Sequence, residues 1–461
     1  MENVMSITLR RAKTFLILAL VALAIYQTGR LWFVHFTNRN FFPYIAARFV
    51  PSVPERSREF VRPMRVVQGA GNGLFAVRYS GLMDMPLRNY FDTVMTELFN
   101  GGRFVGVVET DYERLLSHPM LKYEYAFYMP AEVFPLAFNP RAATFLTARG
   151  ISEFSAVAVW PSVGGQDARV FFIGNGQTWE FALDAAREDL SFGIAPVSTD
   201  SIHFVSAALE GYEYLPAGNF VARSGSRGFA YSPIIVTNHY RPGATGGDLP
   251  HIRNRVAHFF DNPATINDRV AGDGVWTFSN IHTVVRYFGT DVLEYSSFRS
   301  RRQNVDTSFL DAFSAAWAFI ANDPHVVNEI FLTGFEKRGA GYVFWFGYIV
   351  DNFPILMQDS WEVSSAEDIL PAPIEVVVDQ GRVARYRRLA HNFSVDDSHG
   401  WLEIDLDSLL ENQEAPLIGL SVGYPMRPRE TRLRLGLWGI YAEIYEEEYE
   451  YENDYDTKYD N

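Results

Sequence analysis

The stretch "IEVVVDQGRVARYRRL", residues 374–389, decides how this chain folds. An apolar run, Ile374 to Val378, meets a short turn at Asp379-Gln380-Gly381. A second run follows with Tyr386 near its end. Glycine supplies the positive φ that a tight turn needs, and apolar residues at period two suit half-buried strands, so the stretch reads as a β-hairpin. The same form recurs in "ARVFFIGNGQTWEF" (168–181) and "TVVRYFGTDVLEYSSF" (283–298), and the series begins at Val66 with "VVQGAGNGLFAVRY". "GYVFWFGYIV" (341–350), almost wholly apolar and aromatic, reads as a buried strand.

Between the hairpins lie helix-like segments. "MPLRNYFDTVMTELFN" (85–100) places Leu87, Phe91, Val94 and Leu98 at helical spacing. "TSFLDAFSAAWAFIAND" (307–323) does so with Phe309, Phe313, Ala316, Trp317 and Ile320, and Asp323-Pro324 ends it. Strands and helices mix without a βαβ rhythm. The expected class is therefore α+β, with antiparallel sheets and packed helices.

The chain has 461 residues, 48% hydrophobic and 21% charged, enough for real cores and for two to four domains. Aromatics reach 15%, with 37 Phe and 24 Tyr, which favours sheets. There is no cysteine, which removes disulfides, thiolate metal sites, a Cys nucleophile and a lipid-modified Cys anchor. A large extracytoplasmic protein without disulfides is easier to place outside a Gram-positive cell than in an oxidising eukaryotic compartment. The net charge of −15 argues against nucleic acid, whose phosphates need a basic face. Nine Asp/Glu lie between Glu443 and Asn461 against Lys458 alone, so the C-terminus reads as a disordered, solvated acidic tail.

"RRAKTFLILALVALAIYQTGRLWF" (10–33) sets the topology. A membrane-spanning helix needs ~20 predominantly apolar residues. Thr14 to Tyr26 gives thirteen, and extension to Val34 gives twenty-one, interrupted by Gln27, Thr28, Gly29 and Arg30. Arg30 can snorkel, and Tyr26, Trp32 and Phe33 suit an interfacial belt. Arg10, Arg11 and Lys13 place the N-terminus in the cytoplasm and the C-terminal bulk outside. The rival is a cleaved signal with Ala22-Leu23-Ala24 as its cleavage site. The anchor is preferred because the apolar run passes straight through that site. Within it Leu20, Ala24 and Thr28 mark a candidate partner-helix contact, Ala24 and Thr28 forming a small-xxx-small pair.

The expected organisation is a cytoplasmic N-terminus (1–13), an anchor (14–34) and a juxtamembrane connector (35–64) broken by Pro43, Pro51, Pro54 and Pro63. An α+β part (65–200), a β-rich part (201–300), a second α+β part (301–445) and the acidic tail (446–461) come next.

No catalytic constellation stands out. "GLSVG" (419–423) matches the G-x-S-x-G elbow, but Pro425 and Pro428 block the helix it needs and no His comes after His399. It reads as strand and turn. His251 and His258 lie seven apart, without the H-E-x-x-H spacing of a zinc site, and read as surface residues of a polar helix. "GAGNG" (69–73) and "GNG" (174–176) lack a following Lys-Ser/Thr and a helix, so they read as turns rather than phosphate cradles. Asp396, Asp397 and His399 form the densest polar cluster. Acid–base work is conceivable there, but a loop and helix cap ahead of "WLEIDLDSLLEN" explains it more simply. No catalytic, cofactor-binding or metal residue is expected.

The anchor exit "IYQTGRLWF" with "NRNFF", then "FFDNPATIN", "VVRYFGTDVLEYSS", "GYVFWFGYIVDNFPI", "IEVVVDQGRVARYRR" and "LRLGLWGIY", together resemble the YycH family, whose later part the YycI proteins share. The resemblance implies a single-pass anchor, a three-part α+β ectodomain and no enzymatic activity. It also implies contact with a sister YycI-like protein and with a sensor histidine kinase, partly through membrane helices. The acidic tail departs from the family pattern. Two rival readings stay open: an anchored wall-binding module or hydrolase using the 396–399 cluster, and a released solute-binding protein.

Overall fold

The computed structural model describes residues 59–441, apart from 80–84, 163–165, 184–202, 211–217, 224–228, 239–248, 271–273, 299–305, 358–360, 363–367, 403–416 and 429. The anchor, its partner-helix residues Leu20, Ala24 and Thr28, and the acidic tail lie outside this set. Among the described residues, no helix is long and apolar enough to cross a membrane.

Two large sheets carry the fold. The first has nine strands: β1 (Arg65–Ala70), β2 (Phe75–Tyr79), β3 (Arg103–Glu109), β4 (Pro119–Pro130), β5 (Glu153–Trp160), β6 (Ala168–Gly174), β7 (Gln177–Leu183), β8 (His203–Ser206) and β9 (Phe220–Arg223). Their order is β3-β7-β6-β5-β4-β1-β2-β8-β9, and every pairing is antiparallel. Helix α1 (Met85–Gly101) packs on one face through the residues its periodicity selects. Leu87, Phe91, Val94 and Leu98 are buried, with the Phe91 ring 4.1 Å from Tyr123. A short helix, α2 (Tyr112–Leu116), carries Leu115 over the other face, where Ala156, Ala158, Phe171 and Ile173 form a separate apolar cluster.

The second sheet has eleven strands: β10 (Asn267–Val270), β11 (Trp276–Ser279), β12 (Thr283–Tyr287), β13 (Val292–Ser297), β14 (Glu329–Arg338), β15 (Gly341–Val350), β16 (Phe353–Met357), β17 (Ile374–Asp379), β18 (Arg382–Leu389), β19 (Leu417–Met426) and β20 (Gly436–Tyr441). They run β10-β11-β12-β13-β18-β17-β15-β16-β19-β20, with β14 also on β15. The β16–β19 pairing is parallel, against the antiparallel expectation; the others are antiparallel. Helix α3 (Leu249–Val256) precedes the sheet, and α4 (Phe309–Ala321) lies on β15, β17 and β18.

Local chemistry accounts for these elements. Gln380 and Gly381, Asn175 and Gly176, and Asp351 and Asn352 all have positive φ, the conformation that matches strand twist in a two-residue hairpin. All four expected hairpins form, as do both expected helices. Ser308 caps α4 by accepting the Asp311 N–H, while its hydroxyl donates to Asp311 Oδ2 at 2.7 Å. The buried stripe Phe309, Phe313, Ala316 and Ile320 faces the sheet, with Phe313 edge-on to Phe344 at 5.7 Å. Phe60, at the start of the described chain, sits edge-on to both Phe309 (5.5 Å) and Phe313 (5.8 Å), and Arg62 pairs with Glu329 on β14.

Candidate functional site

Alternation along β18 sends its charges to both faces of the second sheet. On one face the register lines up a row across five strands: Arg286 on β12, Glu294 on β13, Arg387 on β18, Glu375 on β17 and Trp345 on β15. Arg286 Nη1 donates to Glu294 Oε1 at 3.1 Å, and Arg387 Nε to Glu375 Oε1 at 3.0 Å. Arg385 reaches the same Glu375 oxygen at 3.1 Å, while Trp345 Nε1 donates to Glu375 Oε2 at 3.3 Å. Asp368 adds an ion pair to Arg387 at 2.6 Å. The row continues to Gly334 on β14, where a Cβ would stand 3.1 Å from the indole of Trp345. Opposite charges directly across strands stabilise by ~0.2–1 kcal/mol per pair.

On the other face Tyr386 and Arg388 meet Asp323, the residue just beyond α4. Arg388 Nε donates to Asp323 Oδ2 at 2.8 Å, and the Tyr386 hydroxyl to the same oxygen at 3.1 Å. The His325 backbone N–H donates to Oδ1 at 3.0 Å, and His258 Nε2 stands 3.5 Å from it. Arg388 and Asp323 are fully enclosed. Burial alone would raise the Asp323 carboxyl; the Arg388 guanidinium and His258 outweigh it and hold the acid below its ordinary value. Asp323 therefore stays ionised as a buried anchor. Burial, then Asp323, push Tyr386 well above a normal phenol, so it remains a donor. Nearby, the buried His391 Nε2 lies 3.2 Å from Asp291, which also accepts from the Tyr287 hydroxyl at 3.0 Å.

The first sheet holds a comparable group. Glu124 pairs with Arg65 and, at 2.6 Å, with Lys122. Burial pushes its carboxyl up, and Arg65 and Lys122 bring it below the usual range. Beside α2, a shallow cleft is lined by Val108, Asp111, Arg114, Trp160, Thr178 and Glu180. Glu180 is held by Arg169 and by Arg114 (3.5 Å). His118 stacks on Trp160 at 4.0 Å and Phe171 meets that indole at 4.6 Å, so the ring is already engaged on two sides.

The residues singled out from sequence are scattered. Ser421 of "GLSVG" lies within β19, opposite Trp438 on β20, the strand expected in place of a nucleophile elbow. The two glycine runs form the β1–β2 and β6–β7 turns, with Gly71, Gly73 and Gly176 at positive φ. Asp396 accepts the Ser398 N–H and pairs with Arg432 at 2.6 Å; that hydrogen bond and the cation hold it below its ordinary value. The helix expected from Trp401 onward does not begin there. Residues 400–402 pair as a strand with 229–231, and the rest of the expected helix, 403–412, lies outside the described residues. His251 is exposed on α3, as expected, while His258 falls in a 3₁₀ turn (257–259) with Nε2 3.5 Å from Asp323.

Sequence reasoning missed the roles of Asp323, Glu375 and Arg388. The available signal was "RYRRL", where three arginines interrupt a strand pattern that must bury one face, which demands anionic partners.

No family model matches the chain, and no curated protein matches it. Among solved structures, it is similar to the crystal structure of YycH from Bacillus subtilis, with a TM-score of 0.47 and 10% identity over 82% of this chain and 94% of that one. It is also similar to an uncharacterized protein from Eubacterium rectale, with a TM-score of 0.25 and 9% identity over 54% of this chain and 84% of that one.

Proposed function

We propose that the chain is a membrane-anchored, extracytoplasmic regulator that modulates a sensor histidine kinase of a cell-wall two-component system by contact, not catalysis. One observation carries the reading. Four of the segments that resemble the YycH family fall on strands of one sheet: "VVRYFGTDVLEYSS" on β12–β13, "GYVFWFGYIVDNFPI" on β15–β16, "IEVVVDQGRVARYRR" on β17–β18 and the end of "LRLGLWGIY" on β20. The resemblance thus tracks a single structural layer, the one crossed by the charged row.

The apolar run 14–34 with its basic N-terminal flank supports a tether that leaves the sheets on the outer side. Leu20, Ala24 and Thr28 would face a kinase helix or a sister YycI-like anchor. Contacts that differ between two kinase states shift their populations, with couplings of typically ~1–3 kcal/mol.

The test is co-purification of the full chain from membranes solubilised under conditions that preserve complexes. A histidine kinase or a sister anchored protein should accompany it, and an Ala24→Leu, Thr28→Leu variant should recover less of either. Recovery of neither partner refutes the reading, as does hydrolysis of cell wall that disappears in Asp397→Asn.

A further inference from the structure

We propose that Arg255 is an acid-releasable clip that fastens helix α3 to the loop after α4, through His325, which can hold it only while neutral. The guanidinium is a donor with no acceptor, and it keeps its charge at every accessible pH. Its Nε donates to His251 Nε2 at 2.9 Å, one helical turn earlier. Its Nη1 lies 3.3 Å from His325 Nδ1, seventy residues away in sequence. Because arginine cannot accept, each imidazole nitrogen must offer a lone pair. A neutral ring has one such nitrogen and an imidazolium has none. Protonating His325 at Nδ1 turns an acceptor into a second donor facing a cation.

The surroundings reinforce this. Among the described residues, the groups acting on His325 are Asp323 at the end of α4, Arg388 on β18, His258 in the 257–259 turn and Arg255 on α3. The one carboxylate among them is already taken up by Arg388 and Tyr386. Burial pushes His325 down to about 4; Asp323 opposes the shift, and Arg388, His258 and Arg255 add to it. His258 is also lowered by burial, and its Nδ1 bonds to the Arg255 carbonyl at 2.8 Å, so the same short run carries all three contacts.

Acid loosens α3 without detaching it. Ile252, Val256 and Phe260 stay buried, and Arg253 holds Asp268 at 3.2 Å and the Ile266 carbonyl at 3.0 Å. What is freed is the edge where Phe259 stacks on Phe319 of α4 at 5.9 Å. The clip does not depend on the kinase reading.

The experiment is hydrogen–deuterium exchange of the full chain in detergent micelles at pH 7 and pH 5, corrected for intrinsic exchange. Protection in 249–260 should fall about tenfold between the two, after discounting for the partial exposure of His325, while 341–350 holds constant. His325→Gln, whose amide oxygen accepts from Arg255 at either pH, should sharply diminish the fall. Arg255→Gln should leave 249–260 equally and weakly protected at both. Flat protection in the native chain overturns the proposal. So does an equal fall in both segments, or an undiminished fall in His325→Gln.

Discussion

Replacing Asp323 by Ala should destabilise the protein by about 3–5 kcal/mol, the range for removing one partner of a buried ion pair. The structure explains why the effect belongs at that end of the scale. Arg388 and Asp323 are both fully enclosed, and the bond between them is 2.8 Å. Without the carboxylate, a guanidinium is left charged in the interior, and the Tyr386 hydroxyl and the His325 N–H lose their acceptor. Each such orphan adds ~1–3 kcal/mol of desolvation, offset in part by relaxation or an entering water. The double variant Asp323→Leu, Arg388→Met removes the charge together with its counter-ion and should recover at least half of the loss. Urea unfolding monitored by tryptophan fluorescence gives the readout. With a slope of ~3 kcal/mol per molar, the single variant lowers the midpoint by about 1 M or more. A loss under about 1 kcal/mol, or a double variant no better than the single, refutes the view that Arg388 depends on Asp323.

Glu124 supplies a pH test. Its carboxyl is held below its ordinary value, so its stabilisation is complete above that value and disappears as pH falls through the folded one. Thermal melts between pH 6 and 3 should lose less stability in Glu124→Gln than in the native protein. Phe313→Ala should lose about 3–5 kcal/mol in urea unfolding, because the ring fills the α4–sheet layer against Phe60 and Phe344. Gly381 has φ of +72° with a Thr307 methyl 3.9 Å from the added Cβ, so Gly381→Ala is penalised by backbone strain, about 1 kcal/mol in the same assay. Gly334→Ala presses on the Trp345 ring, and a shift in tryptophan emission should report the displaced indole. The intact mass of the mature chain should include residues 1–24, which cleavage after Ala24 would remove.

The hairpins were legible because each is closed by local chemistry. "DQG" and "GNG" force positive φ at two successive residues, and the flanking runs have period two. The helices 85–100 and 307–323 were legible for the same reason, one through its apolar spacing and the other also through Ser308 and Pro324. What could not be read was how one hairpin meets another. Glu294 faces Arg387 across ninety-three positions, and nothing near either residue specifies that partner. The parallel β16–β19 pair, formed by distant parts of the chain, is hidden in the same way. Dense clusters such as Asp396, Asp397 and His399 catch the eye in sequence, yet the buried ionic groups are assembled from isolated residues, with Asp323 reading only as the end of a helix. The spacing of His251 and His258 likewise could not reveal that Arg255 between them reaches His325, seventy residues on.

The first described residues of the chain bear on how the body carries mechanical load. Phe60 is wedged against Phe309 and Phe313, and Arg62 is tied to Glu329, before β1 begins at Arg65. A pull on the chain from its N-terminal side is thus borne first by α4 and β14. Load reaches β1 only through a chain already gripped at two points of the second sheet's helical layer and edge.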